Sequence, residues 1–107
     1  MALAYKFVHI GVPTKVKQPN ENYLADMGVY VTDPDAHEYG YEYLRFDDDS
    51  WFPEGLKTNV HIAVQVDSIA KELEKCTTLI EPIEVDEHLT IAFAERDGVY
   101  FEFMEMK

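Results

Sequence analysis

The sequence predicts an α+β domain made of two tandem βαβββ-type modules, the first with its helix reduced, that form a cupped, pseudo-two-fold sheet. Two in-order repeats carry this. Val8-His9-Ile10-Gly11-Val12 returns as Val60-His61-Ile62-Ala63-Val64, 52 residues later. Tyr41-Glu42-Tyr43-Leu44 returns as Phe101-Glu102-Phe103-Met104, 60 residues later. A period near half the chain indicates duplication rather than a solenoid. The third observation is periodicity: the repeated segments alternate with period two, as strands do, and only one stretch has helical spacing.

The elements follow in order. Phe7 to Val12 reads as the first strand, closed by Pro13-Thr14. Residues 15–26 are polar, interrupted by Pro19 and without an apolar stripe, so they read as a loop or at most a turn of helix. Met27 to Val31 is a second strand. Thr32 to Ala36 is a turn in which Asp bonds the backbone and Pro presets φ. Tyr39 to Phe46 is an aromatic-rich third strand, and Asp47 to Leu56 is irregular. Val60 to Val66 is a strand. Asp67 or Ser68 caps a helix running to about Lys75, with the stripe Ile69, Leu73 and Cys76. Leu79 to Val85 reads as extended, with Pro82 marking an edge. Leu89 to Ala94 and Val99 to Met106 are strands joined by the tight turn Arg96-Asp97-Gly98, a strong hairpin signal. Module one therefore spans about residues 5–50 and module two about 58–106 of a single domain, 1–107.

Composition narrows the function. The 107 residues carry a net charge of −12 from 21 Asp plus Glu against 9 Lys plus Arg. Such a surface repels nucleic acid and anionic membranes. One cysteine, Cys76, excludes an internal disulfide and suits a reducing, cytoplasmic compartment. Cys76 reads as a small apolar residue at a helix end. The N-terminus lacks a signal-peptide pattern, and no apolar run reaches the length of a membrane span. A chain this short buries a modest fraction of its surface, so a homodimer is expected, with Leu79-Ile80 and exposed aromatics as the apolar edges to cover.

The repeat places one His and one Glu in each half. On its strand, His9 shares a face with Phe7 and Gly11, opposite Val8, Ile10 and Val12. His61 shares a face with Ala63 and Gln65, opposite Val60, Ile62 and Val64. Glu42 opposes Tyr41 and Tyr43, and Glu102 opposes Phe101 and Phe103. One face is apolar, fit for packing on the helix and loops. The other carries a single ionisable residue. Singly, a strand His is usually structural and a strand Glu usually solvated. As a set, His9, Glu42, His61 and Glu102 suit a divalent ion such as Zn, Ni, Co, Mn or Fe. Two carboxylates balance its charge, and an octahedral ion would keep two positions for a substrate with adjacent oxygens. His37, beside a turn, and His88, in an acidic loop, stand outside the repeat and are expected to be exposed.

These motifs, with the turn-and-strand Asp97-Gly98-Val99-Tyr100-Phe101-Glu102-Phe103, resemble the vicinal oxygen chelate superfamily, which includes glyoxalase I, bleomycin-resistance proteins, extradiol dioxygenases and methylmalonyl-CoA epimerase. The resemblance spans nearly the whole chain. It implies paired βαβββ modules around a metal, with His9, Glu42, His61 and Glu102 as ligands and Glu42 or Glu102 as a catalytic base. It implies a glyoxalase-like metal-dependent lyase, isomerase or epimerase acting on a small molecule. The alternative is a metal-free, bleomycin-resistance-like protein that sequesters a small aromatic or cationic molecule, using Tyr39, Tyr41, Tyr43, Trp51, Phe52 and Tyr100. The first module departs from the pattern by lacking a helix, and the loops that enclose a glutathione adduct in glyoxalase I are missing.

Overall fold

The structure, a computed structural model, describes residues 5–107. Most of the N-terminal segment from which the lack of a signal peptide was inferred lies outside them. Among the described residues are eight strands and two short helices, so the class is α+β with sheet dominant. The chain divides into two compact units. One is His9–Val60, and the other combines residues 5–8 with His61–Lys107.

The first unit contains most of β1 (Lys6–Pro13), then β2 (Asn22–Leu24), β3 (Val29–Val31), β4 (Tyr41–Phe46) and α1 (Glu54–Thr58). Its strand order is β1-β4-β3-β2, with β1 parallel to β4 and the other pairs antiparallel. Val29, Leu44, Phe52 and Leu56 are its buried apolar residues, and the Phe46 and Phe52 rings meet at 5.2 Å. Burying one such side chain contributes about 1.5–3 kcal/mol. The acidic loop after β4 is tied to the turn before β3. Ser50 Oγ donates to the Met27 carbonyl, the Trp51 indole N–H to the Asp26 carbonyl, and the Asp47 N–H to the Gly28 carbonyl. Gly28 has φ +64°, and a Cβ there would lie 3.2 Å from the Ser50 backbone.

The second unit repeats this topology with a helix in the crossover. β5 (His61–Gln65), α2 (Ile69–Leu73), β6 (Thr77–Asp86), β7 (Leu89–Arg96) and β8 (Val99–Met106) follow in sequence. The order is β5-β8-β7-β6, with β5 parallel to β8 and the rest antiparallel. Ser68 caps α2 by accepting from the Lys71 N–H, and the Glu105 carboxylate accepts from the Ile69 N–H. The expected stripe packs as expected. Ile69 is buried with Val66, Ala92, Ala94 and Phe103, and Leu73, Cys76, Val64 and Phe101 pack around them. Ala92 and Ala94 are fully buried, and their small side chains let α2 lie close to the sheet. Burial pushes the Cys76 thiol above its ordinary value, which fits a packing role and not a nucleophile. Tyr5 donates to the Glu72 carboxylate at 2.5 Å, and Lys75 donates to both, so Tyr5 is clipped to α2. Asp97 and Gly98 both have positive φ (56° and 83°), as a type I′ hairpin requires.

Four expectations change. Residues 15–26 are not wholly loop, because Asn22–Leu24 form β2. That strand is three exposed residues held by pairing with β3, so no alternation betrays it. Within the irregular stretch, Pro53 leads into α1, five residues with only Leu56 buried and too short for a stripe. Ile80 is buried, so Leu79-Ile80 is not an exposed apolar edge. On that strand Glu81, Pro82, Glu84 and Asp86 are exposed, which guards a sheet edge against pairing. Finally, among the described residues the apolar face of β4 is met by a single 3₁₀ turn, Pro34–Ala36, and by no α-helix. Val8 is 36% exposed, while Tyr41 and Tyr43 are half-buried. His37 covers part of this face. It stacks on Tyr41 (ring centroids 4.4 Å, planes 8° apart) and meets Tyr43 edge-on, and its Nδ1 accepts the Tyr39 N–H at 3.0 Å. It is therefore half-buried, whereas His88 is exposed as expected.

The helix-free crossover of the first unit is held by an ion pair. Arg45 donates to both Glu21 carboxylate oxygens, at 2.9 and 2.7 Å, while its guanidinium lies 4.1 Å from the centre of the Tyr30 ring. Arg45 beside it holds the Glu21 carboxyl down at about 2. Because the folded value lies below the ordinary one of 4.5, the pair stabilises the native state above that value. That contribution should fade as pH falls from 4.5 toward about 2. Urea melts of wild type and Glu21→Gln should therefore differ at pH 6 and converge near pH 2. A separate pair of substitutions tests the turns. Gly98→Ala meets no atom within 4 Å, so it should cost only the positive-φ penalty of about 1–2 kcal/mol. Gly28→Ala, with the same penalty plus the Ser50 contact, should cost more in the same melts.

Candidate metal site

In each unit the first strand runs parallel to the last, and this register builds the site. Gly11 lies opposite Glu42 and Val12 opposite Tyr43 in the first unit. Ala63 lies opposite Glu102 and Val64 opposite Phe103 in the second. The residue two beyond the His therefore faces the Glu in both. Since side chains alternate along a strand, His and Glu share one face, two residues out of step, with a small residue beside the carboxylate.

The side chains meet as that register requires. His9 Nε2 stands 3.3 Å from Glu42 Oε1. His61 Nε2 stands 3.2 Å from Glu102 Oε1. The same two atoms are used at nearly the same separation. His9, His61 and Glu102 are buried, and Glu42 is half-buried. The Phe93 ring stands edge-on to His61 at 5.4 Å and so fixes the imidazole plane. Removing ionisable groups from water is costly unless they find partners, so each unit devotes buried positions to a His–Glu pair that a purely structural strand would fill with apolar residues. Imidazole with carboxylate is a donor set that divalent transition ions take. The structure thus brings His9 to Glu42 within one unit and His61 to Glu102 within the other.

Sequence reasoning missed Gly11, Ala63 and Phe93. The signal for the first two lay in the repeat, where Gly11 and Ala63 occupy the same place. Phe93 comes from a strand outside the repeated segments.

Of the aromatic residues considered for a metal-free pocket, Tyr100 lies opposite His61 in the β5–β8 register, while Tyr41, Tyr43 and Phe52 lie elsewhere. Tyr41 and Tyr43 alternate with Glu42 and face the other side of β4, under His37. Phe52 is in the core of the first unit. A cleft of about 600 Å³ in the first unit is lined by Lys15, Arg45, Asp47, Asp48, Glu54 and Lys57 among others, and contains neither His9 nor Glu42. Two of its three cations have partners, Arg45 in Glu21 and Lys57 in the Ser50 carbonyl.

No family model and no curated protein matches the chain. Solved structures do. A hypothetical protein from Bacillus halodurans C-125 is 20% identical with a TM-score of 0.66, over 98% of this chain and 96% of that one. Methylmalonyl-CoA epimerase from Mycobacterium tuberculosis is 15% identical with a TM-score of 0.51, over 97% of this chain and 88% of that one. The chain has a glyoxalase-like fold. At these identities the likeness concerns the fold alone. Among the described residues, no helix is long and apolar enough to cross a membrane.

Proposed function

We propose that this protein is a metal-dependent lyase, isomerase or epimerase of the vicinal oxygen chelate superfamily, acting on a small substrate with vicinal oxygens, and that His9, Glu42, His61 and Glu102 hold one divalent ion, of Zn, Ni, Co, Mn or Fe. The observation that carries this reading is the duplicated His–Glu pair, built by one register in both halves. The likeness to methylmalonyl-CoA epimerase supports an epimerase or isomerase outcome.

When bound, the ion supplies Lewis-acid stabilisation of negative charge on the substrate oxygens. The chain's own residues do the rest. The imidazoles of His9 and His61 add affinity without adding charge. Glu42 and Glu102 offset the charge of the cation, and either carboxylate can take a proton from a carbon beside a carbonyl. Delivery of a proton to the opposite face of the same carbon by the other carboxyl group gives epimerisation, and return of the first proton to the neighbouring carbon gives isomerisation, with no net redox change. The strongly acidic surface disfavours polyanionic partners. The proposed partners are accordingly a small-molecule substrate and a second copy of the chain, in the cytoplasm.

An ion bound only by the native state stabilises it, by about 2.7 kcal/mol at a hundred times Kd. Co²⁺, Ni²⁺, Mn²⁺ or Zn²⁺ should raise the melting temperature in a concentration-dependent way. Glu102→Gln should abolish most of that rise while the apo protein still folds, and replacing His88 should leave it untouched. Failure of all four ions at millimolar levels would refute metal dependence and favour the metal-free binding module. For the homodimer, sedimentation at micromolar protein should show a two-chain species, with an interface burying at least ~1,000 Å² in total. The outer face of the first unit, with Tyr39 and the partly covered Tyr41 and Tyr43, is the apolar surface such a contact would cover. A monomer under those conditions would refute it.

A further inference from the structure

The charged cleft of the first unit contains neither His9 nor Glu42, yet the strands that carry them build it. β1 and β4 stay paired as far as Pro13 opposite Leu44, and the Thr14 N–H adds one more bond, to the Leu44 carbonyl at 2.9 Å. Beyond it the two strands part. Thr14 Oγ1 accepts from the Val16 N–H and turns one segment away, while the Asp47 N–H donates to the Gly28 carbonyl and draws the other toward the turn before β3. α1 lines the gap with Glu54 and Lys57, and Phe46 gives it an aromatic wall. The volume of about 600 Å³ falls in the range of small-molecule pockets.

The charge balance there differs from that of the whole chain. Lys15, Arg45 and Lys57 stand with Asp47, Asp48 and Glu54, three cations with three carboxylates, where the chain as a whole has 9 Lys plus Arg against 21 Asp plus Glu. Arg45 is committed to Glu21, and one Asp47 oxygen to the Tyr23 hydroxyl. Lys57 gives one N–H to the Ser50 carbonyl at 2.6 Å, which holds its ammonium in place with two N–H groups still to offer. Lys15, Asp48 and Glu54 are exposed. Among the described residues, no side-chain hydrogen bond or ion pair joins these three to one another or to Lys57. Opposite charges therefore gather around one volume without neutralising each other.

We propose that this cleft binds a small zwitterion of dipeptide size, its carboxylate on Lys15 and Lys57, its ammonium on Asp48 and Glu54, and an apolar side chain against Phe46. The field of a chain with net charge −12 repels a simple anion. A simple cation has 21 carboxylates to choose from, and nothing in the cleft singles it out. A ligand with both charges and no net charge is not repelled, and only a place that offers both signs orients it.

The test titrates the full chain with the dipeptide Ala-Phe, with chelator present throughout, and follows backbone amide shifts by NMR. Wild type should show saturable shifts at millimolar peptide, largest at Lys15, Asp48 and Lys57. N-acetyl-Ala-Phe lacks the ammonium and Ala-Phe amide lacks the carboxylate. Each should bind about tenfold more weakly, since each loses two exposed ion pairs worth about threefold apiece. Lys15→Gln should weaken Ala-Phe about threefold and leave Ala-Phe amide unchanged. Glu54→Gln should weaken Ala-Phe about threefold and leave N-acetyl-Ala-Phe unchanged. Both side chains are exposed, so neither substitution should move the melting temperature. The proposal is overturned if no saturable shift appears at tens of millimolar peptide, if the shifts lie outside the cleft, or if the capped peptides bind as tightly as Ala-Phe. Because metal is withheld, any of these outcomes leaves the His–Glu reading standing, and failure of that reading would leave this one.

Discussion

Parallel pairing between the first and last strands of each unit is the constraint on which the site depends. Parallel strands cannot be joined by a tight turn, so each unit needs a long crossover and an antiparallel excursion before its last strand returns. That return brings Glu42 back to Gly11 and Glu102 back to Ala63. A shift of one residue in either register would turn the carboxylate to the opposite face and separate it from its imidazole. The hydrophobic alternation of both partner strands therefore fixes the donor geometry as well as the core.

The two units meet the crossover requirement differently, and much of their asymmetry follows. The second unit uses α2, whose stripe seals one face of its sheet over Ala92, Ala94 and Phe103. With that face closed, the other can bury His61, Glu102 and Phe93. The first unit crosses without a helix and anchors the loop by Glu21 to Arg45. Its outer face is left to tyrosines and His37, while its core gathers on the same side as His9 and Glu42, around Leu44, Val29 and Leu56. Of the aromatic residues that suggest a ligand pocket in the sequence, Tyr39, Tyr41 and Tyr43 thus serve as the outer side of a sheet without an α-helix over it.

Charge is distributed to match. Acidic side chains lie on the β6 edge and in the loop after β4, where they are solvated and keep strand edges from pairing. The two repeated glutamates are drawn into less exposed positions, each within 3.3 Å of an imidazole nitrogen. Among 21 acidic residues, position relative to the pleat separates these two from the solvated majority.

By itself the sequence determined the duplication, the strand that carries each His and Glu, the capped helix α2 with its Ile69, Leu73 and Cys76 stripe, and the Asp97-Gly98 hairpin. These are local properties, set by periodicity of two or 3.6 and by turn chemistry, and they are legible without knowing what packs where. The tertiary structure decided the rest. Asn22–Leu24 is a strand only because β3 lies beside it, Leu56 makes a helix of five residues worthwhile by entering a core, and Ile80 is buried by pairing that its own segment does not announce. His37 has no repeat partner and gains its place from the ring of Tyr41. The neighbours of Glu42 and Glu102 belong to the same class. Each carboxylate is read from its own strand, but the glycine, the methyl group or the aromatic ring opposite it comes from strands apart from it in sequence, and only pairing brings those together.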